Sequence, residues 1–242
     1  MLQMCKANCS FMNVAINRTV DFAKGASDVA LTANMESLSV EDAVQWAVTC
    51  VNSTQNRISI VIKPLPIDVC NFVITDKHWL MENILCYVSN AVKYSPAGIV
   101  TISASLVECD GSLSMSSIKS LKVSPTKKRK YLPQFTLSRL PRTAETVHPD
   151  AVLNISRSSS GVDTQLQLRI TVKDEGIGID GNKKRNLFKP FQQTMRLAGG
   201  TGLGLYSLSK RVEALNGLFG VEDRSDGRQG SIFWFSIPYM PD

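Results

Sequence analysis

Apolar positions along this chain follow two periods, one near 3.6 and one of 2, and the changes between them divide it into elements. Residues 1–25 contain no proline or internal glycine before Gly25 and place Met12, Ile16, Thr19 and Ala23 at helical spacing, so a helix ending at a Gly25 cap is expected. Ser39, with Asp42 three residues on, forms a capping box. Val40, Ala43, Val44, Ala47, Val48 and Val51 then continue as the apolar stripe of a second, amphipathic helix. Ile58, Ile60 and Ile62 alternate and lead into a proline-containing loop, and Phe72 to Ile74 is a short apolar run; both read as strands. Asp76 is placed to cap a helix over about 77–94, stopped by Pro96. Val100, Ile102, Ala104 and Leu106 alternate, as do Leu166, Leu168, Ile170 and Val172 after a long gap. In the strand from Ser231 to Ile237 both alternating sets are apolar, Ile232 and Trp234 on one side and Phe233, Phe235 and Ile237 on the other, so the pattern leaves its core face open.

The gap, about 108–163, is rich in Ser, Pro, Lys and Arg and far exceeds the roughly 12 to 15 residues at which structureless loops become uncommon. It is expected to be largely disordered, and SPTKKRK (Ser124 to Lys130) within it reads first as a solvated linker, with an import or phosphorylation segment as the alternative. The gap also corrects the meaning of the net charge of +6, because Gly111 to Ala144 holds eight basic residues and no acidic one. The rest of the chain is close to neutral, which argues against a nucleic-acid-binding face. No run of eighteen apolar residues and no signal-peptide layout occurs. The six cysteines form no CxxC pair, and only two histidines accompany them. A cytoplasmic stretch with reduced thiols is expected, any membrane tether belonging to parts outside it.

One helix departs from the amphipathic rule. In NILCYVSNAVKYSP (Asn83 to Pro96), Asn83, Cys86, Asn90, Lys93 and Tyr94 share one face at roughly 100° per residue, where apolar core would be usual. Taken alone, this is equally a solvated face with a stray tyrosine. Further on, DEGIGID (Asp174 to Asp180) follows a strand with a carboxylate and two alternating glycines. That combination can accept a hydrogen bond from an exocyclic amine and let backbone approach a flat ring, although an acidic turn would look the same. LFKPF (Leu187 to Phe191) brackets a lysine and a proline with aromatics. LAGGTGLGL (Leu197 to Leu205) opens a helical pattern with glycines, exposing backbone N–H groups to an anion at the positive end of a helix. It has neither the GxxxxGK[ST] of a P-loop nor the preceding strand of a dinucleotide fold.

Taken in order, NAVKY, DEGIG, FKPF and GGTGLGL resemble the four boxes of the histidine-kinase-like ATPases, and most of all the catalytic ATP-binding domain of sensor histidine kinases. The tail, NGLFGVEDRSDGRQGSIFWFSIP (Asn216 to Pro238), resembles that family's Gly-containing strand followed by GSxFxFxxP. FMNVAINRTVDFAKG (Phe11 to Gly25) resembles the second helix of its dimerisation hairpin. The resemblance implies an α/β, two-layer sandwich: a mixed, mostly antiparallel sheet covered by helices on one face (a Bergerat-type ATP-binding fold), with an N-terminal helix. It divides the chain into residues 1–25, a truncated hairpin, and residues 38–239, the catalytic domain interrupted by the basic insertion at 108–163. Its ligands would be ATP and Mg²⁺. By position, it implies that Asn90 coordinates Mg²⁺, Lys93 contacts phosphate, Tyr94 packs beside adenine and Asp174 accepts the adenine amino group, with Gly176 and Gly178 lining the base pocket. Phe188 and Phe191 would anchor one end of the lid, and Gly200, Thr201, Gly202, Leu203 and Gly204 would wrap the phosphates from the other. Within the short lid, Gln192 to Ala198, Arg196 is the candidate for the transferring phosphate.

Two departures shape the functional expectation. The helix that would carry the phosphoacceptor histidine is absent from this chain, and neither His78 nor His148 has the family's neighbours around it. Four residues before Asn90 the family has Asn, or Glu in its ATPase branches, and here stands Cys86, a poor ligand for a hard cation. Asn83, about 10 Å along the axis from Asn90, is too far to replace it. The first expectation is therefore the catalytic part of a sensor histidine kinase, of hybrid type, that transfers the γ-phosphoryl group to a histidine outside this chain. Its partners would be a receiver domain and a second copy. The alternative is a degenerate module that binds nucleotide or dimerises without phosphotransfer. A chaperone- or gyrase-type ATPase is disfavoured by the missing Glu at position 86.

Overall fold

The computed structural model describes residues 2–27, 29–110, 164–192 and 201–242. The expectation of a disordered insertion falls, for residues 111–163, outside them. The elements in order are α1 (Leu2–Ala26), β1 (Met35–Ser39), α2 (Val40–Asn52), β2 (Ser59–Ile62), β3 (Phe72–Asp76) and α3 (Lys77–Tyr94). Then come β4 (Ile99–Asp110), β5 (Thr164–Lys173), α4 (Gly181–Lys184), α5 (Gly204–Ala214), β6 (Leu218–Asp223) and β7 (Ser231–Pro238). Among the described residues no helix is long and apolar enough to cross a membrane.

Five strands form one sheet in the order β2-β4-β5-β7-β6, with β2 parallel to β4 and β7 antiparallel to both β5 and β6. Alternation turns Val100, Ile102, Leu168, Ile170 and Val172 into the core, and Phe233, Phe235 and Ile237 join them, which settles the face that the β7 sequence left open. The deciding group is Tyr87 of α3. It is fully buried, its ring centroid lies 5.2 Å from that of Phe233 and 5.9 Å from that of Phe235, and its hydroxyl donates to the Trp234 carbonyl at 3.1 Å. Trp234 lies on the other face, with the Arg169 guanidinium 4.1 Å from its ring centroid. Gly220 is required beneath it, since a Cβ there would stand 2.8 Å from the indole.

The helices cover one face of this sheet. Ser39 caps α2 by accepting from the Asp42 N–H at 3.0 Å, as its sequence predicts, and the stripe Val40, Ala43, Val44, Ala47, Val48 and Val51 is buried. Asp76 caps α3 through Oδ1, which accepts from Trp79 N at 2.9 Å, while its Oδ2 accepts from Asn34 N, just ahead of β1, at 2.8 Å. β1 has no counterpart among the predicted elements. It pairs antiparallel with β3, whose backbone also bonds the last residues, with Ile74 N donating to Met240 O and Asp242 N to Phe72 O.

α1 packs on α3 and α5. It continues one residue past the expected cap, because Gly25 does not end it: a Cβ at Gly25 would lie 2.7 Å from the Tyr206 hydroxyl, so the glycine admits that ring. At the centre of the contact the buried Arg211 of α5 pairs with Asp21 of α1 at 2.8 Å and with Glu82 of α3 at 2.6 Å, and Asn17 of α1 donates to the same Glu82 at 2.6 Å.

Candidate functional site

A cavity of about 210 Å³ opens between α3, the end of β5 and the start of α5. Along α3 its wall is Cys86, Ser89, Asn90, Lys93 and Tyr94, residues that the helical period brings to one face. Asn83, which shares this face in the sequence pattern, is buried and does not reach the cavity.

Asp174 leaves the end of β5 into the opposite wall. Its Oδ1 accepts from the N–H of Gly176 at 2.8 Å and from that of Ser231 at 3.1 Å, and neither bond occupies Oδ2. Burial raises the Asp174 carboxyl above its ordinary value, while the two backbone donors and the nearby Arg224 pull in the other direction. Arg224 also donates to the Asp174 carbonyl at 3.1 Å, fixing the backbone that carries the acid. The D-x-G spacing has a steric cause. At Gly176 a Cβ would lie 2.7 Å from the Tyr94 carbonyl and 2.9 Å from Asp174 Oδ1, so only glycine lets the strand end pass α3. Gly178, at φ +72°, lies on the cavity wall two residues on.

On the far side, Thr201, Gly202 and Gly204 line the cavity where α5 begins. Gly202 takes φ +70°, and its carbonyl accepts from Phe191 N at 3.1 Å, so the backbones before and after residues 193–200 are held together. Leu203 is buried and lies outside the lining. Phe188 packs on Phe219 at 4.6 Å between centroids and Phe191 on Phe22 of α1 at 4.9 Å. Both aromatics brace the surrounding structure, and neither touches the cavity. Arg196 and Gly200 lie outside the described residues.

Cys86 stands where α3 meets α5. Its Sγ accepts from Asn90 Nδ2 at 3.8 Å and lies 3.1 Å from where a Cβ on Gly204 would be. Burial pushes this thiol above its ordinary value, and the charges of Arg18 and Arg211 only partly oppose the shift. It is therefore a neutral thiol at neutral pH. From Cys86 to Tyr94 α3 rises about 12 Å at about 1.5 Å per residue. The cavity is thus polarised along that length: the Asp174 carboxylate lies at the Tyr94 end, and the first turn of α5 lies at the Cys86 end.

Asn90, Lys93, Tyr94, Asp174, Gly178, Thr201, Gly202 and Gly204 come together as the sequence motifs suggest, with Gly176 directly behind them. Ser231 and Phe233 of β7 were not anticipated, although the GSIFWF pattern that places them was visible. Arg18, on α1, is also in the wall and had no sequence signal pointing to it.

Residues 144–241 match the model of the family described as histidine kinase-, DNA gyrase B-, and HSP90-like ATPase. Asn90, Lys93 and Tyr94 lie outside that stretch. The sensor histidine kinase AruS of Pseudomonas aeruginosa is 47% identical over 75 residues, which is 29% of this chain and 7% of AruS. The autoinducer 2 sensor kinase/phosphatase LuxQ of Vibrio vulnificus is 29% identical over 168 residues, 68% of this chain and 13% of LuxQ. The chain thus spans a small part of the length of these relatives. Full-length ShkA, solved in complex with AMPPNP, superposes with a TM-score of 0.56 at 20% identity, covering 96% of this chain and 37% of that one, and so shares the fold.

Proposed function

We propose that the chain is the catalytic ATP-binding part of a sensor histidine kinase of hybrid type, a reading supported by the match of residues 144–241 to the model of the histidine kinase-, DNA gyrase B-, and HSP90-like ATPases. The observation that carries this reading is Asp174. A buried carboxylate is held by two backbone N–H groups at one end of a cavity whose other end is the N-terminus of a helix. With Oδ1 occupied, Oδ2 is the acceptor for the exocyclic amine of adenine, and Tyr94 and Gly178 flank the ring. The first turn of α5, with Gly202 and Gly204, and Lys93 then receive the phosphates.

Among the described residues no cluster of three or more His, Cys, Asp or Glu side chains could hold a metal. A single neutral oxygen, Asn90 Oδ1, is a donor set that fits Mg²⁺ taking its other oxygens from phosphates and water. When bound, the ion supplies neutralisation of charge on the phosphate oxygens. The chain's own residues orient the nucleotide and exclude water. In the transfer the bond between the γ-phosphorus and the β–γ bridging oxygen breaks, a bond from that phosphorus to an imidazole nitrogen forms, and ADP departs. We assign the acceptor histidine to a helix outside these residues, and take Arg196 as the candidate cation for the transferring phosphate, a receiver aspartate as the next acceptor, and a second copy as the dimer partner.

Cys86 favours a second reading, in which nucleotide is bound and phosphotransfer is impaired. Calorimetric titration with a non-hydrolysable ATP analogue, with and without Mg²⁺, tests the first. Saturable binding abolished by Asp174→Ala and weakened by Asn90→Ala supports it, and no binding by the wild-type chain refutes it. Addition of a histidine-bearing hairpin then separates the two readings by whether phosphohistidine forms.

A further inference from the structure

Arg18 is the part of the cavity wall that comes from α1. Its guanidinium carbon and Nη1 lie 3.3 and 3.4 Å from where a Cβ on Gly204 would stand, at the first residue of α5 and beside the Cys86 sulfur. Its backbone carbonyl accepts from Ser207 Oγ at 3.4 Å, which ties this turn of α1 to α5. Among the described residues Arg18 forms no ion pair, whereas Arg211, in the same helix contact, has two carboxylates. A half-buried cation facing the positive end of a helix is unfavourable unless an anion joins it. A thiol at position 86 offers no charge to oppose it.

We propose that Arg18 binds the polyphosphate of the nucleotide, so that α1 completes the site. The proposal rests on the reading of the cavity as an ATP site. A guanidinium can give two parallel N–H bonds to phosphate oxygens, and position 86 lies about 12 Å along α3 from the adenine end, where the phosphates of an extended nucleotide arrive. By linkage, a bound triphosphate holds α1 against α5 as firmly as α1 docking strengthens triphosphate binding.

The test uses the 242-residue chain, titrated with a non-hydrolysable ATP analogue and, separately, with adenosine. Arg18→Ala is expected to weaken the triphosphate about tenfold or more and leave adenosine unchanged. Arg18→Gln, which keeps the stem packed, is expected to reproduce the loss, and Arg18→Lys to recover part of it. Equal losses for triphosphate and adenosine, or wild-type affinity in Arg18→Gln, overturn the assignment. If the wild-type chain binds neither ligand, the ATP reading falls and this one with it. If Asp174→Ala abolishes binding while Arg18→Ala changes nothing, only the Arg18 assignment falls.

Discussion

The amide nitrogen of Asn90 lies 3.8 Å from the sulfur of Cys86, one helical turn away on the cavity face of α3. That contact occupies Nδ2 and leaves Oδ1 as the atom available to a cation. A neutral thiol adds nothing to a hard ion, whereas a second amide oxygen would. Cys86→Asn is therefore expected to strengthen Mg²⁺-dependent binding of an ATP analogue severalfold, read as the difference between titrations with and without Mg²⁺. An unchanged Mg²⁺ increment would mean that position 86 does not reach the ion.

Its protonation makes a separate prediction about the same thiol. Burial holds Cys86 above the ordinary thiol range, and Cys9 is exposed on α1. Burial disfavours the Cys86 thiolate and restricts access to it, whereas Cys9 is open to solvent. Peptide mapping after brief iodoacetamide treatment at neutral pH is expected to find Cys9 alkylated well ahead of Cys86. ATP analogue should slow modification at Cys86 alone.

Asp174 separates site chemistry from stability. Replacement by Ala strands the buried N–H groups of Gly176 and Ser231, at about 1–3 kcal/mol. Asp174→Asn retains an acceptor for both and loses the charge. The folded carboxyl titrates above its ordinary value, so protonation favours the fold. This contribution is complete below the unfolded pKa and is lost as pH rises through the folded one. Thermal midpoints of Asp174→Asn should therefore gain on wild type as pH rises from below about 4 towards neutrality. Nucleotide affinity should fall at every pH.

Arg211 should behave as a latch for α1. Arg211→Leu leaves Asp21 and Glu82 buried together without their cation, a loss of about 3–5 kcal/mol in denaturant titrations. Adding Asp21→Asn and Glu82→Gln to that variant should return much of it, because the uncompensated charges are gone. A triple variant no more stable than Arg211→Leu would show that packing, and not charge, dominates the contact.

Gly202 has no room to change. At φ +70°, with a virtual Cβ 2.8 Å from the Phe191 backbone, alanine forces apart the two strands of chain that Gly202 and Phe191 join. Gly202→Ala should cost at least about 1–2 kcal/mol of stability from the backbone alone. It should also weaken the ATP analogue more than adenosine, since the joined segment borders the phosphate end.

Most of the fold could be read from the chain because its helices carry local instructions: the Ser39 and Asp76 caps and the valine stripe of α2 need no distant partner. β1 had no such instructions. Only Leu38 and Ser39 of its five residues are buried, and it is a strand because β3 lies beside it. The orientation of β7 depended on Tyr87, more than a hundred residues away in sequence. Within the site, the motif residues were legible where backbone geometry demands a residue type, as at Gly176 and Gly202. Arg18 was not, because its relation to Cys86 exists only once α1 is docked. Asn83 shows the converse: helical phase alone placed it on the cavity face, and the length of the cavity excludes it.

β4 and β5 are neighbours in the sheet, and Cys109 Sγ lies 3.5 Å from Gln167 Oε1, so the chain leaves and re-enters the domain at nearly the same point. Such a port tolerates passengers. Loop closure grows only logarithmically, at about 0.6 kcal/mol for each doubling of length, so residues 111–163 could be exchanged for a short turn or a folded guest while the cavity keeps its shape. The same port is a natural place to open the chain for a circular permutant, with new termini far from α1 in sequence and the Asp174 end of the site intact.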